Sequence, residues 1–556
     1  SALTTAPWSS PGVTANWPTT NRWAAGADWT RRSTSADGLV VEEDRILAMG
    51  MSQPLEAGTY YIGVINDSGA LSMSYTLISR GIGDGLSLPV TDLNFSGGSV
   101  TVSNLAPREA AYFRVQVPTN TPGWKMKLAP SVGEAMLVVL SNRVPNVDSG
   151  RISGPLNGKF MQKAGNEHYL ILPLVGQSNI IAGTYYLAAI SEGVNPASAT
   201  RIGSGSSTFT VTSVGNIPVN NLGTIGLTDI VITNSLEGGE SQTYQFTVPT
   251  NAPAIEMRLE NRVGNPVMVV LPNLSLPDPG GVSSPKDIYG NDGGEVPSGI
   301  NTNILTIANP TNGIYTLAVK ARALGTVYPD ASYTLRVRQM PAPELNFTAA
   351  FNTNGFSHIA VGLLLDSQRA YYKVVVPTNV HGQAVLGWQL DLAQSSGQAS
   401  MRVRKDALPS DAVAGIPYTA NAAIIAPPIL TNGTWYVEVR GTNSTAFTLT
   451  SSALALQRPI WQMPGSGEAT TTPGLSAPEF GDSGVDTNGV PLAGDQGIDL
   501  ELGRYHYYAI NVPTNNGGLL RVQLEGISGN PDFYLRTALV PTASHATNGL
   551  AGNMYD

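Results

Sequence analysis

Hydrophobic and polar positions alternate along most of this chain, and the alternation returns at long, regular intervals. Phe113, Val115 and Val117 are apolar, with Arg114 and Gln116 between them. The same rhythm runs through Tyr244, Phe246 and Val248, through Tyr372, Val374 and Val376, and through Tyr508, Ile510 and Val512. Successive side chains of a strand point to opposite faces, so aromatic and β-branched residues at every second place predict strands with one buried face. Each run stops at Val-Pro-Thr-Asn: Val117–Asn120, Val248–Asn251, Val376–Asn379 and Val512–Asn515. Pro has no N–H to give a ladder, and Asn tolerates left-handed turn geometry, so the tetrapeptide ends a strand and turns the chain. The copies lie 131, 128 and 136 residues apart, the spacing of a repeated unit.

A second signature opens on Gly: GTYYIGV from Gly58, GTYYLAA from Gly183, GIYTLAV from Gly313 and GTWYVEV from Gly433. Two, four and six places on stand Tyr60/Ile62/Val64, Tyr185/Leu187/Ala189, Tyr315/Leu317/Val319 and Trp435/Val437/Val439. All are apolar, which predicts another one-faced strand entered from a tight turn. A third signature closes the unit at Tyr75–Leu77, Phe209–Val211, Tyr333–Leu335 and Phe447–Leu449. One more strand separates the Val-Pro run from the Gly strand: AMLVVL from Ala135, VMVVL from Val267, SMRVR from Ser400 and DFYLR from Asp532. The unit is about 130 residues of strand and turn without a helical period. A sheet with one apolar face buries it on a second sheet, so each unit is expected to be a two-sheet sandwich.

The order of the signatures divides the chain. Residues 1–85 hold the Gly strand but no Val-Pro run, the second half of a sandwich. Residues 86–215, 216–341 and 342–463 hold complete sandwiches. Residues 464–478, rich in Pro, Gly, Ser and Thr, read as a linker. Residues 479–556 hold a Val-Pro run and no Gly strand, the first half of a sandwich.

The series Tyr-x-Val-x-Val-Pro, then a strand of the GNPDFYLR type (Gly529–Arg536), then Leu-x-x-Gly-Thr-Tyr-Tyr-Ile-Gly-Val, then Tyr-Thr-Leu, resembles the bacterial pre-peptidase C-terminal (PPC) domain. It is also similar to the tandem PPC-like repeats of very large secreted bacterial proteins, and the resemblance runs over nearly the whole chain. It implies an all-β fold of tandem jelly-roll-like β-sandwich domains in an elongated array, without catalysis. Members of the family accompany secreted peptidases or stack as modules of surface proteins, and some bind calcium or collagen. The family's acidic strand motif, of the GDADLYV type, survives only around Asp532; the stretches near Met136, Met268 and Met401 lack the aspartate. A calcium or collagen function is therefore not carried over.

Composition narrows the partners. The 556 residues suffice for three to five domains, and 42% hydrophobic content suffices for packed cores. Charged residues make up 13% and the net charge is −9, which argues against nucleic acid, since that needs a basic footprint. With no cysteine there are no disulfides or thiolate metal sites. No run of 18 apolar residues suggests a membrane span. Starting at Ser1 without a signal-peptide pattern, the chain is expected to be a processed product or a fragment.

Few clusters suggest chemistry. GDSG at Gly481–Gly484 matches the nucleophile loop of trypsin-like proteases, but Ser483 needs a His base and an orienting Asp. His168, His358, His381, His506 and His545 sit in unrelated contexts, so a polar loop is the reading adopted. Asp287, Asn291, Asp292 and Glu295 gather oxygen ligands in a Gly-rich loop that could hold Ca²⁺, though its spacing is not that of an EF-hand and a solvated turn is the alternative. Asp486 and Asn488 carry a similar, weaker signal. Trp8, Trp17, Trp23 and Trp29 would suit sugar rings or a protein partner if exposed, or else fold onto their own sandwich.

Repetition without a retained polar constellation points to a non-catalytic structural or adhesive segment of a large extracellular or cell-surface bacterial protein, such as a stalk, surface layer or filament. No enzyme activity and no cofactor other than Ca²⁺ are expected. The expected partners are further copies of the chain or other surface proteins, with polysaccharide also open. The two half sandwiches could join head to tail between copies, or the natural chain continues past both ends. The competing reading is a set of modules binding polysaccharide, collagen or a cell-wall polymer beside a secreted hydrolase.

Overall fold

The computed structural model describes residues 89–106, 109–142, 165–174, 177–194, 205–277, 302–322, 328–351, 355–411, 415–418 and 422–456, with short pieces elsewhere. Every regular element among the described residues is a strand. The chain divides into two compact units. The first takes in Ser1–Thr250, Met257–Leu305 and Thr311–Arg338; the second takes in Asn251–Glu256, Thr306–Pro310 and Gln339–Asp556. Of the predicted leading half sandwich, β1 (Ser33–Thr34) pairs antiparallel with β2 (Val40–Val41), and most of the remainder lies outside the described residues.

The first sandwich has one sheet of β3 (Val90–Asp92), β5 (Ala110–Val117), β10 (Gly183–Gly193), β7 (Glu134–Ser141) and β8 (Lys159–Met161), in that order. Its second sheet is β4 (Gly98–Leu105), β11 (Ser207–Asn216), β6 (Trp124–Val132) and β9 (Glu167–Ile171). Counting the eight strands from β4 to β11, the first, eighth, third and sixth form one sheet. The second, seventh, fourth and fifth form the other, which is jelly-roll order. The leading strand β3 is added in parallel to β5.

The second sandwich repeats this plan. β12 (Val219–Thr224), β14 (Ser241–Val248), β18 (Gly313–Ala321) and β16 (Pro266–Leu271) form one sheet. β13 (Ile230–Leu236), β19 (Ala331–Met340), β15 (Ala254–Val263) and β17 (Asn303–Ala308) form the other. In the third sandwich, β20 (Ile359–Leu364) and β21 (Arg369–Val376) both pair with β27 (Gly433–Ala453), which also pairs with β24 (Trp388–Lys405). β25 (Ile416–Tyr418) and β26 (Ala422–Ile425) flank β24. β24 and β27 run through both layers; their pairing shifts around Ser396–Gln398, and Gly397 beside the shift has φ +66.

The two sequence signatures are partners in one ladder. Val117 at the end of the Val-Pro run lies opposite Gly183, which opens the Gly strand, and the register holds to Ala110↔Ile190. Val248↔Gly313 and Val376↔Gly433 repeat the match. Gly183, Gly313 and Gly433 have φ of +136, +129 and +126, a region open to Gly because it has no Cβ. Asn120 and Asn251 turn the chain with φ of +59 and +62. Asn379 differs. It opens β22 (Asn379–Val380), which pairs with β23 (Gln383–Ala384) around His381 and Gly382 at φ +50 and +80. Here the chain has extra residues to spend before Trp388, and a small hairpin takes them up.

The cores are the inward faces of these ladders. Val115, Trp124, Met126, Leu128, Leu187, Phe209 and Val211 are all shut off from solvent in the first sandwich. Each such side chain contributes about 1.5–3 kcal/mol of burial. The continuous apolar run of β7 is buried on both faces, and Met136 and Val138 join Tyr112, Ala188 and Ile190 in a second cluster on the outer side.

Two cores share a polar thread. Trp124 Nε1 donates to Ser213 Oγ at 2.9 Å, and Ser213 Oγ donates to the Phe95 carbonyl. Trp388 Nε1 donates to Ser451 Oγ at 2.8 Å, and Ser451 Oγ to the Phe347 carbonyl at 2.7 Å. In the second sandwich the same places hold Ile255 and Val337, so indole and hydroxyl are lost together. An orphaned partner of either kind would be costly in a dry core.

After the third sandwich, β28 (Trp461–Gln462) pairs in parallel with β29 (Ile510–Asn511), and Leu456 bridges Tyr507. This pairing starts before the Pro- and Gly-rich stretch 464–478, all of which lies outside the described residues.

Candidate functional site

A polar constellation within the first unit lies where the first sandwich meets the turn leading into β14. Inward Trp124, Met126 and Leu128 leave Lys125 and Lys127 on the outer face of β6. β9 pairs beside them and sets His168 opposite Lys127, with Asn166 just ahead of it. The turn Leu236–Ser241 brings Glu237 and Glu240. It closes on itself, since Glu240 N–H donates to the Glu237 carbonyl at 2.9 Å and Glu237 N–H to Glu240 Oε2 at 3.2 Å. Gly238 is required there, because a Cβ would stand 2.1 Å from the Tyr328 carbonyl oxygen.

Lys125 Nζ meets Glu240 Oε1 at 2.8 Å, and Lys127 Nζ meets Glu237 Oε2 at 2.9 Å. The same Glu237 oxygen accepts Asn166 Nδ2 at 3.0 Å and stands 2.8 Å from His168 Nε2. His168 is buried and its Nδ1 is enclosed without a hydrogen bond, so the neutral ring carries its proton on Nε2 and donates to Glu237. Burial lowers the imidazole below its ordinary value of 6.5, with the Glu237 hydrogen bond opposing. Burial alone would raise Glu237, but the hydrogen bonds from Lys127, Asn166 and His168 win and bring it down to about 2. Glu240 is likewise lowered: burial raises it, and the Lys125 hydrogen bond and charge overcome that. An apolar seam lies alongside. Gly123 lets Ile217 and Leu276 close in, since a Cβ would sit 2.7 and 2.8 Å from their Cδ1 atoms. Chemically this is a bolt, two cations and a histidine clasping two carboxylates, with no nucleophile in it.

A second ionic cluster stays within the third sandwich. Glu438, almost fully buried, meets Arg402 Nη2 at 3.0 Å and Arg369 Nη1 at 3.6 Å. Asp411 closes the ring at 2.7 Å from Arg369 and 3.1 Å from Arg402. This ties the chain after β24 down onto the outer face of β21 and β27. Elsewhere, a shallow depression of about 290 Å³ is lined by Asp92, Leu93, Asn94, Phe95, Arg114 and Gln116. Its cation is already matched, Arg114 Nε being 2.6 Å from Asp92.

The edge strand β20 carries a different feature. Its outward residues Ile359, Val361 and Leu363 are 41%, 77% and 74% exposed. The corresponding residues are Ser99, Thr101 and Ser103 in β4, and Val231, Thr233 and Ser235 in β13.

Asp287, Asp292 and Glu295 lie outside the described residues, as do Trp8, Trp17, Trp23, Trp29 and Ser483. Among the described residues, no group of three or more His, Asp or Glu is placed to hold a metal ion. His168 lies in β9, His358 just ahead of β20, His381 in the turn between β22 and β23 and His506 ahead of Ile510; of these four described histidines, His168 enters the joint. Sequence reading missed the joint because its residues come from two repeats. The usable signals were the Lys residues alternating with Trp124 and Met126, and the Glu placed eight residues before the Val of a Val-Pro run.

No family model and no curated protein matches the sequence. Among solved structures, the chain is similar to the atomic structure of Sulfolobus Turreted Icosahedral Virus: 9% identity, 65% of this chain and 91% of that one, TM-score 0.16. A structure described as the triple jelly roll fold and turret assembly in an archaeal virus matches at 12% identity, covering 66% of this chain and 85% of that one, TM-score 0.14. The M60 catalytic domain with the CBM51-1 and CBM51-2 domains from Clostridium perfringens ZmpB matches at 8% identity, covering 43% of this chain and 34% of that one, TM-score 0.13. Likenesses at this level carry no argument about function. The class rests on the chain's own strands: an all-β protein of tandem jelly-roll sandwiches.

Proposed function

We propose that this chain is a non-catalytic structural segment of a large extracellular, surface-exposed bacterial protein, made of PPC-like sandwiches stacked in an elongated array. The observation that carries the reading is the joint of Lys125, Lys127 and His168 with Glu237 and Glu240. Free modules on a string do not need a charge set divided between two of them, whereas a stiff stack does. The sandwiches supply length, their loops vary freely, and Ser483 has no chemical role. Self-association through the terminal segments fits the same reading.

The test is electron microscopy of the intact chain beside a Glu237→Lys/Glu240→Lys variant. The native chain is expected to show a fixed angle between its first two complete sandwiches, and the variant a broad spread. A broad spread in the native chain would remove the basis of the proposal. A second reading, modules that bind polysaccharide, collagen or a cell-wall polymer, draws on the exposed stripe of β20. It requires measurable binding by the chain that Val361→Lys abolishes; flat titrations across such a panel would dispose of it.

A further inference from the structure

The open edge of the third sandwich differs from the same edge in the other two. β20 pairs with β27 on one side, and no described strand takes its other side. Ser451 N–H donates to the His358 carbonyl at 2.9 Å, so by alternation the backbone groups of Ala360, Gly362 and Leu364 also turn to β27. Those of Ile359, Val361 and Leu363 point to the open edge, with Ile359 N–H met by Ser357 Oγ at 2.9 Å. The side chains of the same three residues form the exposed apolar stripe.

Edge strands are commonly guarded by charge, proline or a bulge. β4 has Ser99, Thr101 and Ser103 at these places and a register shift against β11, and β13 has Thr233 and Ser235. β20 has no such guard. No charged residue or proline stands between His358 and Asp366, and the register with β27 runs unbroken from Ile359 to Leu364. The far end of the strand is pinned within the second unit. Gln368 Oε1 accepts the Leu365 N–H at 3.0 Å, and Gln368 Nε2 donates to Glu256 at 3.2 and 3.4 Å. Glu256 is the socket here, eight residues after the Val of a Val-Pro run, as Lys125 is for Glu240. The edge is thus held in place by its own chain, ready to pair.

We propose that a second copy of this chain binds side by side at β20, the two β20 strands pairing antiparallel about a two-fold axis through Val361. The match selects a second copy. Val361 then lies opposite Val361, and Ile359 opposite Leu363 twice, so apolar meets apolar along the stripe and every outward backbone group of the three residues is used. The ends agree as well. The His358 end of each copy lies beside the Asp366 end of the other, base beside acid, whereas a parallel partner would set like beside like. This pairing uses neither the terminal segments nor the joint at Glu237 and Glu240, so it stands whether or not the sandwiches stack. Two stripes of three side chains bury less than the roughly 1,200 Å² of a standard interface, so the dimer is expected to be weak and to fill with concentration.

The test is sedimentation of the full chain over a concentration series up to about 200 µM. The native chain is expected to dimerise. Val361→Lys and Val361→Glu are each expected to weaken the dimer roughly tenfold or more, since like charges then face one another across the axis. An equal mixture of the two variants is expected to recover it, because unlike charges face instead; variants that had merely misfolded would not. The chain has no cysteine, so Val361→Cys reports the geometry without background. With Cα atoms about 5.5 Å apart across the pair, it is expected to give a disulfide-linked dimer at concentrations where Thr101→Cys and Thr233→Cys do not. A native chain that stays monomeric, a dimer indifferent to both charged variants, or equal linkage at all three places overturns the proposal. Polysaccharide binding that Val361→Lys abolishes in a chain monomeric throughout would overturn it too, and would assign the stripe to a ligand instead.

Discussion

Removing the hydroxyl of Ser451 tests the account of the cores most sharply. Trp388 Nε1 and the Phe347 carbonyl both depend on that oxygen, at 2.8 and 2.7 Å. Trp388, Phe347 and Ser451 are all fully enclosed, so water cannot step in. Ser451→Ala leaves two buried polar groups unpaired at about 1–3 kcal/mol each, for roughly 2–4 kcal/mol after partial relaxation. Trp388→Ile alone removes ring contacts with Phe347 at 6.1 Å and Trp435 at 6.2 Å and leaves the hydroxyl without its indole donor. Truncation of this size costs about 3–5 kcal/mol. The double variant Trp388→Ile/Ser451→Val imitates the second sandwich's Ile255 and Val337. It is expected to fall short of the sum of Trp388→Ile and Ser451→Val by about 1–2 kcal/mol, because each change removes the other's unmet need. Several linked sandwiches do not unfold as one step, so a global melting curve is the wrong assay. Native-state hydrogen exchange, read on peptides from β24 and β27, isolates the third sandwich. A change below about 0.5 kcal/mol for Ser451→Ala, or strict additivity in the double variant, would refute the reasoning.

Gly123→Ala drives a methyl into Ile217 and Leu276 and is expected to loosen the first unit by about 1–3 kcal/mol, measured by exchange in β6. The joint should weaken with acid in two stages. His168, lowered from 6.5, resists the proton in the folded chain while the unfolded chain accepts it, so stability is lost as pH falls below about 6.5. Glu237, lowered from 4.5 to about 2, contributes fully above 4.5, and its share is lost as pH falls from there towards 2. Exchange rates of the 236–241 turn against pH, compared with His168→Gln, should show the upper stage vanish in the variant. Glu438→Ala takes the buried carboxylate from Arg369 and Arg402, leaving them the more exposed Asp411, and is expected to cost about 3–5 kcal/mol in exchange of β27. Val361→Lys should leave stability within about 0.5 kcal/mol while reducing concentration-dependent light scattering.

What the sequence revealed was whatever is written inside one repeat. Alternation at Tyr244, Phe246 and Val248 reports its own buried face, and Gly313 reports its own backbone angle. Local rules therefore reached the strands, the Val-Pro stops and the sandwich class. They failed at Asn379, where extra residues ahead of Trp388 change the task of the turn. The joint was illegible for a different reason. Lys125 and Glu240 are 115 residues apart, and each looks like an ordinary solvated charge until the fold sets them side by side. The candidate residues named for chemistry, Asp287, Asp292 and Glu295 and the four tryptophans from Trp8 to Trp29, lie outside the described residues.

The socket chemistry has a consequence for how such a chain can change over generations. Lys125 suits Glu240, and Glu256 suits Gln368, but Lys125 and Glu256 are not interchangeable. Neighbouring sandwiches therefore carry matched addresses. A duplication or shuffling event that put the third sandwich directly after the first would set Gln368 against Lys125, trading an ion pair for a neutral contact. The order of modules is written in their contacting side chains, and a recombinant array would have to rewrite those few residues before it stacked as tightly as the original.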